Sequence, residues 1–106
     1  MSGADFVASV PIAAVPQGQS LAVTVDGGSI LVCNTPDGLF AIENRCSHAE
    51  SPLECGRIRN GWIACPAHGA RFDLATGEAL SPPAIEPIRT FSLRVVDGII
   101  EVAVGE

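Results

Sequence analysis

The sequence predicts an all-β domain of short antiparallel strands, and three observations support that prediction. Glycine and proline are frequent, at 11 and 8 of the 106 residues, which favours tight turns over helices. The apolar stretches are short, and several alternate with polar residues as in a half-buried strand. No long segment repeats apolar residues at helical spacing. With 47% hydrophobic and 17% charged residues, the chain is expected to form one small globular domain.

The first part of the chain predicts one strand followed by three strands joined by turns. Residues 6–15 are expected to form a first strand and its turn. Segments 20–25, 29–34 and 39–43 follow, separated by Asp26-Gly27-Gly28 and by Pro36-Asp37-Gly38. Glycine at such positions permits the positive φ of a tight turn. We therefore expect a three-strand antiparallel meander.

The last part of the chain predicts a β-hairpin. Residues 88–96 alternate between apolar and polar side chains, as expected for one strand. Asp97-Gly98 is a turn signal, and residues 99–104 return as the second strand of the hairpin.

The segment between these two β regions is less regular. Residues 44–59 show no sustained period and predict a loop. Short strands are expected over 61–64 and 70–74, and a turn over 75–77 closes the second of them. This middle segment is therefore expected to be an excursion of loops from a rigid β framework, a common setting for binding residues.

Composition and charge exclude several classes of function. No apolar run is long enough to span a membrane. A signal peptide has basic residues before its apolar part, and none precedes residues 6–15. The formal net charge of −6 excludes an electrostatic case for nucleic acid binding. We expect a cytoplasmic protein that associates with neither nucleic acid nor membrane, and a monomer.

Two Cys/His pairs are the most informative motif. Cys46 and His48 are separated by one residue, sixteen residues follow, and Cys65 and His68 are then separated by two. These are the only two histidines in the chain. Two thiolates and two imidazoles can hold one zinc ion, or a 2Fe–2S cluster with sulfur on one iron and nitrogen on the other. Zinc sites usually pair cysteine with cysteine, so the mixed order here favours the cluster and leaves structural zinc as the alternative.

The other two cysteines are expected to be spectators. Cys33 lies in an apolar strand-like run and is interpreted as a buried thiol. Cys55 lies between the two pairs without a histidine at motif spacing, so a ligand role stays open for it. Disulfides are not expected, because reducing compartments keep thiols free.

The motifs Cys46-Ser47-His48 and Cys65-Pro66-Ala67-His68-Gly69 resemble those of the Rieske iron–sulfur family. The segment from Trp62 to Gly77 is similar to that family's second ligand loop, and Ser81-Pro82-Pro83 falls where the family has a proline loop. The resemblance implies a single Rieske domain that forms an antiparallel β sandwich. Its basal framework would comprise residues 1–43 and 84–106, and its cluster-binding subdomain about 44–83.

The resemblance also implies the cofactor and the partners. Cys46 and Cys65 would hold one iron of a 2Fe–2S cluster, and His48 and His68 the other. The length is similar to that of the ferredoxin component of bacterial aromatic-ring-hydroxylating dioxygenase systems. Such a protein is no enzyme itself; it passes single electrons from a flavin-dependent ferredoxin reductase to a terminal Rieske oxygenase. Small Rieske subunits of assimilatory nitrite reductases are the alternative within the family.

Departures from the high-potential members of the family predict a low potential. Those members have a disulfide cysteine in each ligand loop, where this chain has Ser51 and Ala67. They also have serine and tyrosine hydroxyls that donate to sulfur, where this chain has Ala70 and Phe72. Hydrogen bonds to sulfur stabilise the more negative reduced state, so their loss lowers the potential. We expect the low end of the Rieske range, roughly −150 mV.

Arginines surround the motif. Four of the six basic residues, all arginine, fall between Arg45 and Arg71, in an otherwise acidic chain. They are interpreted either as solvated loop residues or as part of a surface that docks a partner.

Overall fold

The structure is a computed structural model, and the residues that it describes form ten strands and one 3-10 helix. It describes residues 5–25, 27–47, 51–67, 69–82 and 86–104. The strands are β1 (Asp5–Pro11), β2 (Ser20–Val25), β3 (Gly28–Thr35), β4 (Gly38–Glu43), β5 (Ile58–Arg59), β6 (Trp62–Ala64), β7 (Arg71–Asp73), β8 (Thr90–Phe91), β9 (Leu93–Val96) and β10 (Ile99–Val104). The 3-10 helix, Ile12–Ala14, follows β1 and forms the turn expected there. Within the described ranges, no helix is long and apolar enough to cross a membrane.

The predicted meander forms the centre of the molecule. Strands β2, β3, β4 and β8 make a four-stranded antiparallel sheet in that order, which we call the central sheet. Ser20 pairs with Cys33, and Cys33 pairs with Phe40, so the three meander strands are in continuous register. The expected order and direction of these strands are confirmed.

Strand β3 is buried on both faces of the central sheet. Alternate residues point to opposite sides of a strand, so Leu31 and Cys33 enter one hydrophobic cluster while Ile30 and Val32 enter another. Cys33 has no exposed surface, which confirms the prediction that it is a buried thiol.

A second sheet packs on one face of the central sheet and completes a sandwich. Strands β1, β10 and β9 pair antiparallel in that order and form what we call the outer sheet. Ile100 and Val102 of the outer sheet share a buried cluster with Val23, Ile30 and Val32 of the central sheet. The antiparallel sandwich expected from the resemblance is therefore confirmed.

The segment 88–96 differs from its prediction as a single strand. It divides at Ser92 into β8, which pairs with β4 of the central sheet, and β9, which pairs with β10 of the outer sheet. The carbonyl of Ser92 accepts a hydrogen bond from the amide of Ala103 at 2.8 Å, at the position where the chain changes sheets. Alternation continues through the division, so the pattern alone does not reveal it. The predicted hairpin between the 93–96 part and 99–104 is confirmed.

A third sheet lies on the other side of the central sheet. Strands β5, β6 and β7 pair antiparallel and form the small sheet. The predicted strands over 61–64 and 70–74 correspond to β6 and β7, whereas β5 falls at the end of the segment predicted as a loop. The buried cluster between the central and small sheets, called the site core, joins residues of both sheets and of the loops around them. Its members are Leu31, Cys33, Ile42, Cys46, Leu53, Ile63, Cys65, Ala70, Phe72, Leu74 and Ile88.

Candidate metal centre

The first cysteine of the motif begins a closed loop after β4. Cys46 has no exposed surface. Its backbone amide donates a 2.7 Å hydrogen bond to the carbonyl of Ser51, five residues later. Strand β4 ends at Glu43, so the sheet positions the start of this loop. We call residues 46–51 the first ligand loop.

The second cysteine begins a loop that is closed in the same way. Cys65 directly follows β6 and is 2% exposed. Its amide donates a 2.7 Å hydrogen bond to the carbonyl of Ala70, again five residues later. Within this loop the amide of Gly69 donates to the carbonyl of Cys65 at 2.8 Å, and Gly69 has a φ of 76°, which glycine adopts without strain. We call residues 65–70 the second ligand loop.

The fold brings the two predicted cysteines into one buried environment. Cys46 and Cys65 both belong to the site core, together with Leu53, Ile63 and Phe72. His48 and His68 lie outside the described residues, so the structure describes two of the four predicted ligands. Among the residues that are described, no group of three or more His, Cys, Asp or Glu side chains is placed to hold a metal ion.

The donor chemistry nevertheless suits a soft metal centre. Two thiols lie in an apolar shell, and each starts a loop of the same closure that contains, in sequence, one histidine. Thiolate and imidazole are the donors that iron–sulfur centres of mixed ligation require. An apolar shell also limits water access and so tunes the potential of a bound cluster.

The other two cysteines have different surroundings. Cys33 lies within strand β3 rather than at the start of a loop, and burial raises its pKa to about 12. This thiol is therefore protonated at neutral pH, as expected for a structural residue. Cys55 is exposed and has a φ of 71°, on the solvent side of a turn. Its predicted spectator role stays a prediction.

Two buried side chains near the second ligand loop lack hydroxyls. Ala70 and Phe72 have no exposed surface and belong to the site core. The resemblance to the Rieske family predicts hydroxyl donors at these two positions in high-potential members. In this chain the structure places two apolar side chains there, both in the interior.

Residues that follow β7 are hydrogen-bonded both to β7 and to the first ligand loop. The amide of Arg71 donates to the hydroxyl of Ser81 at 3.1 Å, and the amide of Leu80 donates to the carbonyl of Arg71 at 2.8 Å. At the other end, the hydroxyl of Ser47 donates to the carbonyl of Glu86 at 2.6 Å. The sequence did not indicate the roles of Ser47 and Ser81, because no local pattern signals hydrogen bonds between residues 39 and 10 positions apart.

The arginines around the centre are in two kinds of environment. Arg45 forms an ion pair with Glu43 at 3.3 Å, and the guanidinium of Arg71 stacks over Trp62 at 4.9 Å from the ring centre. Arg57 and Arg59 are exposed. Exposed ion pairs and cation–π contacts contribute little to stability, so these contacts mainly orient the side chains.

Comparison with known protein families gives one match that covers most of the chain. The model of the Rieske [2Fe-2S] domain matches residues 5–92. Among characterised proteins, the anthranilate 1,2-dioxygenase ferredoxin subunit of Burkholderia cepacia is 40% identical over 76 residues, which cover 72% of this chain and 70% of that protein.

Solved structures agree with that match. The ferredoxin of carbazole 1,9a-dioxygenase from Nocardioides aromaticivorans superposes with a TM-score of 0.88 at 34% identity, covering 92% of this chain and 96% of that chain. A ferredoxin in a complex of reduced oxygenase and oxidised ferredoxin of carbazole 1,9a-dioxygenase superposes with a TM-score of 0.86 at 26% identity, covering 95% and 94%.

Proposed function

The chain belongs to the Rieske [2Fe-2S] family, and we propose that it passes single electrons from a reductase to a terminal ring-hydroxylating oxygenase. It binds one Rieske-type 2Fe–2S cluster and acts as an electron-transfer component rather than as a catalytic enzyme. The observation that carries the proposal is the burial of Cys46 and Cys65 in one core, in two loops of identical closure, within a chain whose relatives are dioxygenase ferredoxins.

The proposed ligands are Cys46 and Cys65 for one iron and His48 and His68 for the other. When bound, the cluster supplies a site that accepts and releases one electron. The site core keeps water from the two cysteines, and the closed loops hold their backbones in place. His48 and His68 would take up protons at their imidazole nitrogens when the centre gains negative charge. We propose residues 44–83 as the cluster-binding subdomain and the rest of the chain as its framework.

The relatives support the proposed partners. A solved relative forms a complex with its oxygenase, which supports an oxygenase as the electron acceptor here. A flavin-dependent ferredoxin reductase is the proposed donor, because a ferredoxin component has to receive electrons from a separate protein. We propose that the chain works as a cytoplasmic monomer.

Substitution of the ligands tests the assignment. Replacing Cys46, His48, Cys65 or His68 should abolish the Rieske-type electron paramagnetic resonance signal of the reduced protein. Cys33→Ser and Cys55→Ser are matched controls and should retain it. Loss of the signal in Cys55→Ser would show that the assignment of ligands is wrong.

Reconstitution tests whether the protein carries electrons between a reductase and an oxygenase. The purified protein should support turnover of an aromatic substrate when it is mixed with a ferredoxin reductase and a terminal ring-hydroxylating oxygenase, and turnover should require all three. The ligand variant Cys65→Ser is the negative control. Electron delivery to a nitrite reductase but to no ring-hydroxylating oxygenase would contradict the proposal.

A further inference from the structure

Asn44 is a buried polar side chain at the entrance to the first ligand loop. It follows directly after β4, precedes Cys46 by two residues and is only 9% exposed. A buried carboxamide is costly unless its donors and its acceptor are all paired. The partners of Asn44 therefore indicate what the residue does.

The carboxamide oxygen closes the loop at its base. Oδ1 of Asn44 accepts hydrogen bonds from the amides of Leu53 at 2.9 Å and Glu54 at 3.0 Å. These amides lie just beyond the end of the first ligand loop, whose own closing bond joins Cys46 to Ser51. One oxygen atom of the residue before the loop is thus bonded to two residues after the loop.

The carboxamide nitrogen fixes the same loop to the central sheet. Nδ2 of Asn44 donates to Oγ of Ser29 at 3.0 Å and to Oε1 of Glu54 at 3.1 Å. The backbone amide of Asn44 donates to the carbonyl of Ser29 at 3.2 Å. Since Ser29 belongs to β3, the loop is attached to a strand that is buried on both faces.

We propose that Asn44 is a positioning residue for the first ligand loop: its carboxamide holds the loop that begins at Cys46 against β3 and thereby retains the cluster. This inference rests on the proposed ligand set. The requirement is specific for an amide, because two bonds need an acceptor and two need a donor on one side chain. Alanine would leave two backbone amides without their partner, and a carboxylate would remove both donors and face Glu54 with like charge.

Three variants of the purified holoprotein test the proposal. Asn44→Ala and Asn44→Asp should each release iron to a ferrous-iron chelator about tenfold faster than the wild type, the size of effect seen when groups that orient metal ligands are lost. The double variant Asn44→Asp/Glu54→Gln exchanges donor and acceptor between the two positions and should return the rate towards that of the wild type. The midpoint potential of Asn44→Ala should rise, because water that reaches the cluster stabilises the more negative reduced state.

A second asparagine provides the matched control. Asn34 lies on strand β3, and its Nδ2 donates at 2.8 Å to the carbonyl of Val15, which belongs to the cluster between the central and outer sheets. Asn34→Ala should lower the unfolding temperature without changing the potential or speeding iron release at a temperature equally far below its own unfolding. Equal release rates for Asn44→Ala and Asn34→Ala, or no recovery in the double variant, would overturn the inference. A wild-type protein without a Rieske signal would instead contradict the proposed function.

Discussion

The hydroxyl of Ser47 donates a 2.6 Å hydrogen bond to the carbonyl of Glu86 and so joins the first ligand loop to a segment that follows the second. The other end of that segment is held by Ser81, whose hydroxyl accepts from the amide of Arg71 on β7. One segment is therefore bonded to both sides of the proposed cluster site. Its hydrogen bonds restrict how far the two ligand loops can separate.

Ser47→Ala removes the bond to the first ligand loop and should accelerate loss of the cluster. A hydrogen bond of this kind contributes about 0.5–1.5 kcal/mol, so we expect release roughly two- to tenfold faster. The decay of visible absorbance in the presence of a chelator measures the rate.

Ser9→Ala is the control for this experiment. The hydroxyl of Ser9 donates to the carbonyl of Ile100 at 2.8 Å in the outer sheet, far along the chain from either ligand loop. Ser9→Ala should leave the release rate unchanged. Ser47→Thr, which keeps the hydroxyl, should behave as the wild type. Equal rates for Ser47→Ala and Ser9→Ala would show that the bond to Glu86 has no role in retention.

The redox potential should lie near the low end of the Rieske range, roughly −150 mV. Ala70 and Phe72, both without exposed surface, place no hydroxyl at the positions where high-potential relatives donate to sulfur. Ala70→Ser should therefore raise the potential. Since a tenfold change in a one-electron equilibrium corresponds to about 59 mV, we expect a shift on the order of 50 mV.

A redox titration of wild type and variant measures both values. Ala41→Ser introduces the same group at a position that is 2% exposed in the cluster between the central and outer sheets, and it should not change the potential. A clearly positive wild-type potential would show that the missing hydroxyls do not set it.

Gly77, which closes the turn after β7, is expected not to tolerate a side chain. It has a φ of 80°, and a Cβ atom there would overlap the carbonyl oxygen of Ile88. That oxygen belongs to the backbone, and the amide of Ile88 donates to the carbonyl of Gly77 at 2.9 Å. Gly77→Ala would thus force apart the base of the segment 78–87.

The expected cost of Gly77→Ala combines backbone strain with overpacking and is about 2–4 kcal/mol. For a domain of this size, the unfolding temperature should fall by on the order of 10 °C or more. Gly98 has a similar φ of 79°, but a Cβ atom there would meet no other atom within 4 Å, so Gly98→Ala isolates the strain alone. A fall in unfolding temperature of equal size in the two variants would contradict the clash with Ile88.

Local patterns in the sequence predicted the central meander but not every strand pairing. The meander was predictable because turn residues and alternation occur together between positions 20 and 43, and the observed strands agree in order and direction. The change of sheet at Ser92 was not predictable, because alternation continues while the partner strand changes from β4 to β10. Pairing of distant strands is a tertiary property that a local period does not encode.

The same distinction applies to the site. Spacing indicated Cys46 and Cys65, and the structure buries both in one core, while the two histidines stay predictions because they lie outside the described residues. Asn44 has no distinctive sequence signal, since a lone asparagine after a strand is common in turns. Its contacts with Ser29, and those of Ser47 with Glu86, depend on how separate segments pack.

The buried thiol of Cys33 should make the protein less stable at alkaline pH. Burial raises its pKa from 9.0 to about 12, because the thiolate would lose its solvation. Above pH 9 the unfolded chain releases this proton while the folded chain keeps it, so unfolding becomes more favourable as the pH rises from 9 to 12. One such group changes the free energy of unfolding by up to about 1.4 kcal/mol per pH unit.

Urea unfolding followed by circular dichroism between about pH 8 and 11 measures this dependence. Cys33→Ala should be less stable at about pH 8, because it leaves a small cavity, but its stability should fall less steeply at alkaline pH. Cys55→Ala, at an exposed position, should keep the wild-type slope, and equal slopes for Cys33→Ala and wild type would show that this thiol is not the cause.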